Sequence, residues 1–291
     1  MINLKGLGVA MVTPFFENRS IDFESLKKLT RYLIDNGVDY LVVQGTTGES
    51  PTLTGEEKEA VLKTIINENN GKLPIVYGIG GNNTMAVANE LSNFKTQGVD
   101  AILSVSPYYN KPTQEGIYKH FKTLSDHSNL PIILYNVPGR TSSNISPETT
   151  IKLAKNCPNI IAIKEASGNL EQVMKIIENR PENFFVISGD DALTMPFIAM
   201  GGDGVISVIG NGLPKLFSQM VNEGLADNNV KARELHYKCF GLIHHLFSEG
   251  NPAGIKEVLK YYNVCENYVR LPLIKVSVET KRSIVEFLGN L

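Results

Sequence analysis

Charge of one sign is what this chain most plainly lacks: its 28 lysines and arginines nearly cancel its 30 aspartates and glutamates. That balance excludes the electrostatic footprint of a nucleic-acid binder or of a protein held on an anionic membrane, and it points to small-molecule partners. Cysteine is scarce as well. Cys157, Cys239 and Cys265 are too few and too widely spaced for a disulfide framework or a zinc site, so a reducing cytoplasm is the expected setting. No apolar run approaches the length of a membrane span. The opening MINLKGLGVAMVTPFFENRS is interrupted by Pro14 and Glu17 and lacks a small-residue cleavage site after a basic start, so it reads as a first strand. His120, His127, His236, His244 and His245 show no metal-ligand spacing such as H-E-x-x-H, which argues against a metal centre. Gly78-Ile79-Gly80-Gly81-Asn82-Asn83 lacks the dinucleotide spacing, and no Walker A sequence occurs.

What is present is a globular composition, 42% hydrophobic and 20% charged over 291 residues, compatible with one large α/β barrel. Short β-branched runs recur: GVAMVTPF, DYLVVQGTTGE, PIVYGIG, DAILSVSP, PIILYNVP, IIAIKEAS, FFVISGD and GVISVIG. Between them lie helically spaced residues such as Phe23, Leu26, Leu29, Leu33 and Ile34. Thr54 before Glu56 and Glu57, Thr84, and Ser146 with Pro147 mark helix starts, while Gly37, Gly71 and Gly98 mark ends. This alternation predicts a (β/α)8 barrel over residues 1–225. Helical patterns alone follow, predicting a helical appendage over residues 226–291 with no linker before it.

An open doubly wound sheet has the same alternation, so the position of the polar residues decides between the two. Thr46, Thr47, Ser106, Tyr108, Tyr109, Tyr135, Arg140, Lys164 and Asp190 all fall at or just beyond the carboxyl ends of strands, where a barrel builds its active site. Lys164 stands out among them. In Ile160-Ile161-Ala162-Ile163-Lys164 the alternation sends Ala162 and Lys164 into the barrel. Desolvation there disfavours the charged form and frees an amine to attack a carbonyl; the plain alternative is a solvated lysine at a strand end. Tyr135 supplies a phenol suited to moving protons, with Thr46, Thr47 and Tyr109 as further hydroxyls. Each of these taken singly reads better as core, turn or cap. Glycines flank Thr46-Thr47, making Gly45–Glu49 a candidate carboxylate cradle, and Arg140 after Pro138-Gly139 suits bidentate carboxylate recognition. Asp190 and Asp191 are adjacent and point apart, so helix capping before Ala192 is the expected role.

Gly45-Thr46-Thr47-Gly48-Glu49, Tyr135-Asn136-Val137-Pro138-Gly139-Arg140-Thr141 and Ile163-Lys164-Glu165-Ala166-Ser167-Gly168 resemble, in order and spacing, the signatures of the dihydrodipicolinate synthase family. Pro107-Tyr108-Tyr109-Asn110-Lys111-Pro112 and Ser188-Gly189-Asp190-Asp191 add two further motifs, and the similarity runs through nearly the whole chain. The lysine and tyrosine motifs also occur across the wider pyruvate-dependent aldolases, which include N-acetylneuraminate lyase; the arginine is the more specific mark.

The resemblance implies a Schiff-base lyase that condenses pyruvate with L-aspartate 4-semialdehyde in diaminopimelate and lysine biosynthesis. Lys164 would form the imine, and Tyr135, Thr46 and Tyr109 the proton relay, with Tyr109 reaching a neighbouring subunit. Thr47 and the backbone of Thr46 would hold the pyruvate carboxylate and Arg140 that of the semialdehyde, while Gly189 and Ile206 would line the pocket through their main chain. It further implies a homotetramer built as a dimer of dimers, with no metal and no organic cofactor. The competing expectations are a pyruvate aldolase acting on a sugar acid, and a barrel that binds a metabolite without turning it over.

Feedback-sensitive members that this chain resembles bind lysine with histidines in the helix after the G-T-T-G-E loop and an acidic residue after the third strand. The corresponding residues here are Gly55, Lys58 and Ala86. Lys58 repels an ammonium and Ala86 offers no counter-charge, while Ser50, Asn82 and Tyr108 leave a weak residual site open, so activity is expected to be insensitive, or nearly so, to lysine. A steady-state titration into the low millimolar range checks this, and cooperative inhibition there would show that other residues build a lysine site.

Overall fold

The computed structural model describes residues 2–291. β1 (Gly6–Ala10) leads to α1 (Phe23–Asp35), β2 (Tyr40–Val43) to α2 (Gly55–Asn69), β3 (Ile75–Gly78) to α3 (Thr84–Asn93), and β4 (Ala101–Val105) to α4 (Gln114–His127). β5 (Ile132–Asn136) is followed by a one-turn α5 (Pro138–Thr141) and by α6 (Pro147–Asn156); β6 (Ile160–Glu165) leads to α7 (Leu170–Asn179). β7 (Phe185–Ser188) leads to α8 (Thr194–Ala199), and β8 (Gly204–Ser207) to α9 (Pro214–Leu225). Three helices close the chain: α10 (Asn229–Phe247), α11 (Ala253–Tyr261) and α12 (Val278–Gly289).

The strands form a closed barrel in chain order, β1 to β8, so the (β/α)8 architecture expected from the alternation is the one observed. Near-continuous apolar strands are what a parallel sheet covered by helices demands. β1, β2, β5, β6 and β8 are accordingly buried along their whole length. By internal contacts the chain divides into two compact units. One consists of Ile75–Ile206 with the segment ending at Lys5, the other of Gly6–Pro74 and Ser207–Leu291.

Local chemistry sets the helix starts. Thr54 and Glu57 form a reciprocal capping box at α2, the Ser146 side chain accepts from Thr149 N–H at α6, and Asn83 caps α3 so that Thr84 is its first residue. Asp190 accepts from Ala192 N–H at 2.9 Å, the capping role its position suggested. Gly37 and Gly71, with positive φ, stand just past the ends of α1 and α2 as expected, whereas α3 stops at Asn93, capped by Phe94, ahead of Gly98. Among the described residues no helix is long and apolar enough to cross a membrane.

Candidate active site

In the unit built on Ile75–Ile206, the parallel register pairs Tyr135 with Lys164 and Asn136 with Glu165, and then Lys164 with Ile187. A register shift lies between Ile132 and Ile133, where the partner residue steps from Ile160 to Ala162. Beyond that bulge the alternation is regular, so Lys164 shares a face with Ala162, as the sequence suggested. The side chains of Lys164 and Tyr135 are only 6% and 8% exposed, and Lys164 Nζ lies 4.3 Å from the centroid of the Tyr135 ring. Among the described residues no carboxylate pairs with this amine. An amine buried against an aromatic face with no counter-ion is an unusual structural lysine and a suitable nucleophile.

Gly189, at the end of β7, makes room for that amine's stem. A Cβ there would stand 2.7 Å from Ala166 Cβ, which has to shift, and 3.0 Å from Lys164 Cε, so a larger residue would crowd both. Ile206 in β8 is 1% exposed, and β7 meets β8 through Ser188 and Val205. Arg140 was expected in a tight turn; it sits in the one-turn α5, where Pro138 occupies the first turn and Ser142 closes the helix in a left-handed conformation. Thr141 Oγ1 donates to Ser143 O and accepts from Ser143 N–H, while the Arg140 side chain is exposed. Tyr109 is 88% exposed on a left-handed backbone of φ 75°.

In the unit built on Gly6–Pro74 and Ser207–Leu291, Thr46–Gly48 form a single 3-10 turn. Gly48 N–H and Glu49 N–H are spent on Gly45 O and Thr46 O, which leaves the N–H groups of Thr46 and Thr47 at the open end of the turn. Thr47 is buried and its hydroxyl oxygen accepts from Asn251 Nδ2 at 2.9 Å, so its proton remains available to an anion; Thr46 is exposed. The backbone is left-handed at Gln44 (φ 61°) and Glu49 (φ 56°), on either side of the turn. The bend of the loop is thus carried by side-chain-bearing residues.

The sequence reading missed what holds this loop. Lys256, in the middle of α11 and 0% exposed, donates to Glu49 Oε1 at 2.6 Å and to Tyr268 O at 2.7 Å, with Nζ 4.2 Å from the Phe15 ring centroid. Burial pushes its ammonium down from the ordinary range and the Glu49 carboxylate opposes that shift. Glu49 Oε2 accepts from Arg270 N–H at 2.8 Å, and the Arg270 guanidinium grips Glu57 with two bonds of 2.7 and 2.6 Å and donates to Thr52 O. Seven consecutive residues from Ala253 to Leu259 are buried, which the local sequence AGIKEVL, with Lys256 and Glu257 in it, does not signal. Among the described residues no group of three histidines, cysteines or carboxylates could hold a metal ion. His120 is buried beside Thr84 Oγ1 at 2.9 Å, and burial pushes its ring down to about 4, leaving it neutral.

The sequence model of the dihydrodipicolinate synthetase family matches residues 3–290. The 4-hydroxy-tetrahydrodipicolinate synthase of Flavobacterium psychrophilum is 54% identical over 286 residues, covering 98% of each chain. That of Parabacteroides distasonis is 51% identical over 290 residues, covering 100% of this chain and 98% of the relative. The crystal structure of dihydrodipicolinate synthase from Aquifex aeolicus superimposes with a TM-score of 0.95 at 41% identity, over 99% of this chain and 98% of that one.

The Glu57–Arg270 pair gives a pH test of the loop's support. Hydrogen bonding to Arg270 pulls the Glu57 carboxyl from 4.5 down to about 2. A carboxyl depressed in the folded state contributes stability that is fully present above its unfolded value and lost as pH falls through the folded one. Glu57→Gln is expected to cost about 1–2 kcal/mol at neutral pH, a full bidentate pair discounted for partial exposure. It should also flatten the loss of stability between about pH 4.5 and about 2. Chemical denaturation across that range checks this; an unchanged acid limb would assign the dependence to another carboxylate.

Proposed function

The chain belongs to the dihydrodipicolinate synthetase family, and from that membership we propose that it condenses pyruvate with L-aspartate 4-semialdehyde through an imine on Lys164, on the route to diaminopimelate and lysine. The observation that carries this reading is the Lys164 amine, 6% exposed at the end of β6, lying over the Tyr135 ring and free of any carboxylate partner among the described residues. The neutral amine adds to the pyruvate ketone. Protonation of the resulting hydroxyl through Tyr135 expels water and leaves a protonated imine. The imine acidifies the methyl group, and loss of that proton yields an enamine. Its carbon attacks the aldehyde of the semialdehyde, whose oxygen takes up a proton. The amino group of the same substrate then adds to the imine carbon, displaces the Lys164 amine and closes the ring.

In this scheme Thr46 and Tyr109 extend the relay that begins at Tyr135. Thr47 and the main chain of Thr46 take the pyruvate carboxylate, a role supported by a hydroxyl proton left free and by two uncommitted N–H groups. Arg140 takes the semialdehyde carboxylate, and Gly189 and Ile206 line the pocket through their main chain. The 88% exposure of Tyr109 supports a role in the site of a second copy, within a cytoplasmic homotetramer built as a dimer of dimers. Residues 226–291 are read as an appendage to the barrel of residues 1–225, supporting the 45–49 loop through Asn251, Lys256 and Arg270.

Incubation with pyruvate and borohydride is expected to add one reduced pyruvate to the peptide containing Lys164, read by intact mass and peptide mapping. Persistence of the adduct in Lys164→Ala would overturn the assignment. Arg140→Ala is expected to weaken use of the semialdehyde by the roughly 1.5–3 kcal/mol typical of hydrogen bonds to a charged group, with pyruvate trapping intact. Cleavage of N-acetylneuraminate without any condensation activity would replace the synthase reading with a sugar-acid aldolase.

A further inference from the structure

The same alternation that sends Lys164 and Tyr135 to one face of β5 and β6 sends their chain neighbours Glu165 and Asn136 to the other. There Glu165, 2% exposed, meets only donors. Its Oε1 accepts from Ser167 N–H at 2.7 Å and from Asn136 Nδ2 at 3.2 Å, and its Oε2 accepts from Asn136 Nδ2 at 2.9 Å and Gln172 Nε2 at 2.8 Å. A group facing donors on both oxygens has to be an acceptor on both, which a carboxylate is and a carboxamide is not. Burial pushes the Glu165 carboxyl upward, and these donors oppose that shift.

The carboxylate also dictates how three amides turn. Gln172 has to point its nitrogen at Glu165, so its oxygen faces Asn144 Nδ2 at 2.9 Å. Asn144 Oδ1 then receives Asn136 Nδ2 at 2.8 Å and Gln172 Nε2 at 3.2 Å. Asn136 is left with its oxygen on Ile145 N–H at 2.9 Å. Asn136 and Ile145 bracket the segment that carries Arg140, so this last bond closes the loop of the arginine onto the strand of the tyrosine.

We propose that Glu165 is a positioning residue that, through Asn136, Gln172 and Asn144, holds the Lys164–Tyr135 pair and the Arg140 loop in one fixed arrangement. The inference rests on the imine reading for what those three residues do, but the coupling itself is a property of the network. Two variants separate its halves. Asn144 is exposed, and Asn144→Ala removes the side-chain bonds that link the Arg140 segment to Asn136 and Gln172, leaving the Ile145 N–H bond in place and Glu165 its three donors. Glu165→Gln keeps the volume and places an NH2 against donors, disturbing both halves.

Asn144→Ala is expected to raise KM for the semialdehyde about tenfold while the rate of pyruvate trapping by borohydride stays within about twofold. Glu165→Gln is expected to slow trapping and raise that KM, each by about tenfold. Trypsin supplies a readout independent of activity: both variants should be cut after Arg140 faster than the unmodified protein. Loosened Arg140 loops in a protein that pyruvate and borohydride do not label would uphold the coupling and sink the imine reading instead. Equal trypsin resistance in all three proteins, or a parallel fall of trapping and semialdehyde use in Asn144→Ala, overturns the proposal.

Discussion

Burying a lysine amine is the constraint from which most of this structure follows, because an ammonium taken out of water needs a counter-ion and acceptors or must give up its charge. Among the described residues two lysines are buried, and their surroundings differ. Lys256 is enclosed by an anion, a carbonyl and an aromatic face: Glu49, Tyr268 O and Phe15. Lys164 has the aromatic face of Tyr135 and, among the described residues, no anion. The first arrangement fixes a side chain permanently. The second leaves an amine whose strongest interaction can be made with a substrate, which is the property required of a covalent catalyst.

The neighbouring residues follow from the same contrast. A reactive amine without a partner has little of its own to hold it in place, so its aim has to come from the backbone and from steric walls. Gly189 leaves room beside the lysine stem, where a Cβ would crowd Ala166 at 2.7 Å, and the register between β5 and β6 sets Tyr135 against Lys164. The carboxylate of this region is Glu165, one residue along and on the opposite face, where it orders amides instead of neutralising the amine. Alternation along a strand thus keeps charge compensation away from the nucleophile while leaving both on adjacent residues.

Where the sequence was legible, it was legible through periodicity and short-range caps. The eight β-branched runs, the Thr54 box, Ser146 before Pro147 and the Asp190 cap are each determined within a few residues, and each is found as expected. The shared face of Ala162 and Lys164 was legible because both lie beyond the bulge, where two-residue alternation is regular. The Glu49–Lys256 pair was not, since its partners lie 207 residues apart and α11 by itself resembles an ordinary amphipathic helix. Glu165 was hidden differently: it stands inside a recognisable motif, but its role depends on Gln172 and Asn144, which no motif joins to it. Arg140 was placed in the right segment, with the geometry of a helical turn in place of a simple reversal.

The 45–49 loop carries this reasoning one step further. Glycine is the natural residue for a left-handed bend, yet the bend closes on Glu49, a residue for which that backbone costs about 1 kcal/mol or more. Glycine at that position would relieve the strain and remove the carboxylate, leaving Lys256 buried with its charge unmatched at a cost of several kcal/mol. The larger penalty wins, so the strained conformation is retained. The pair need not stabilise the fold more than apolar residues of the same shape would. What it supplies is a tether: Glu49 meets Lys256 and the Arg270 N–H together, and in that placement the N–H groups of Thr46 and Thr47 are open.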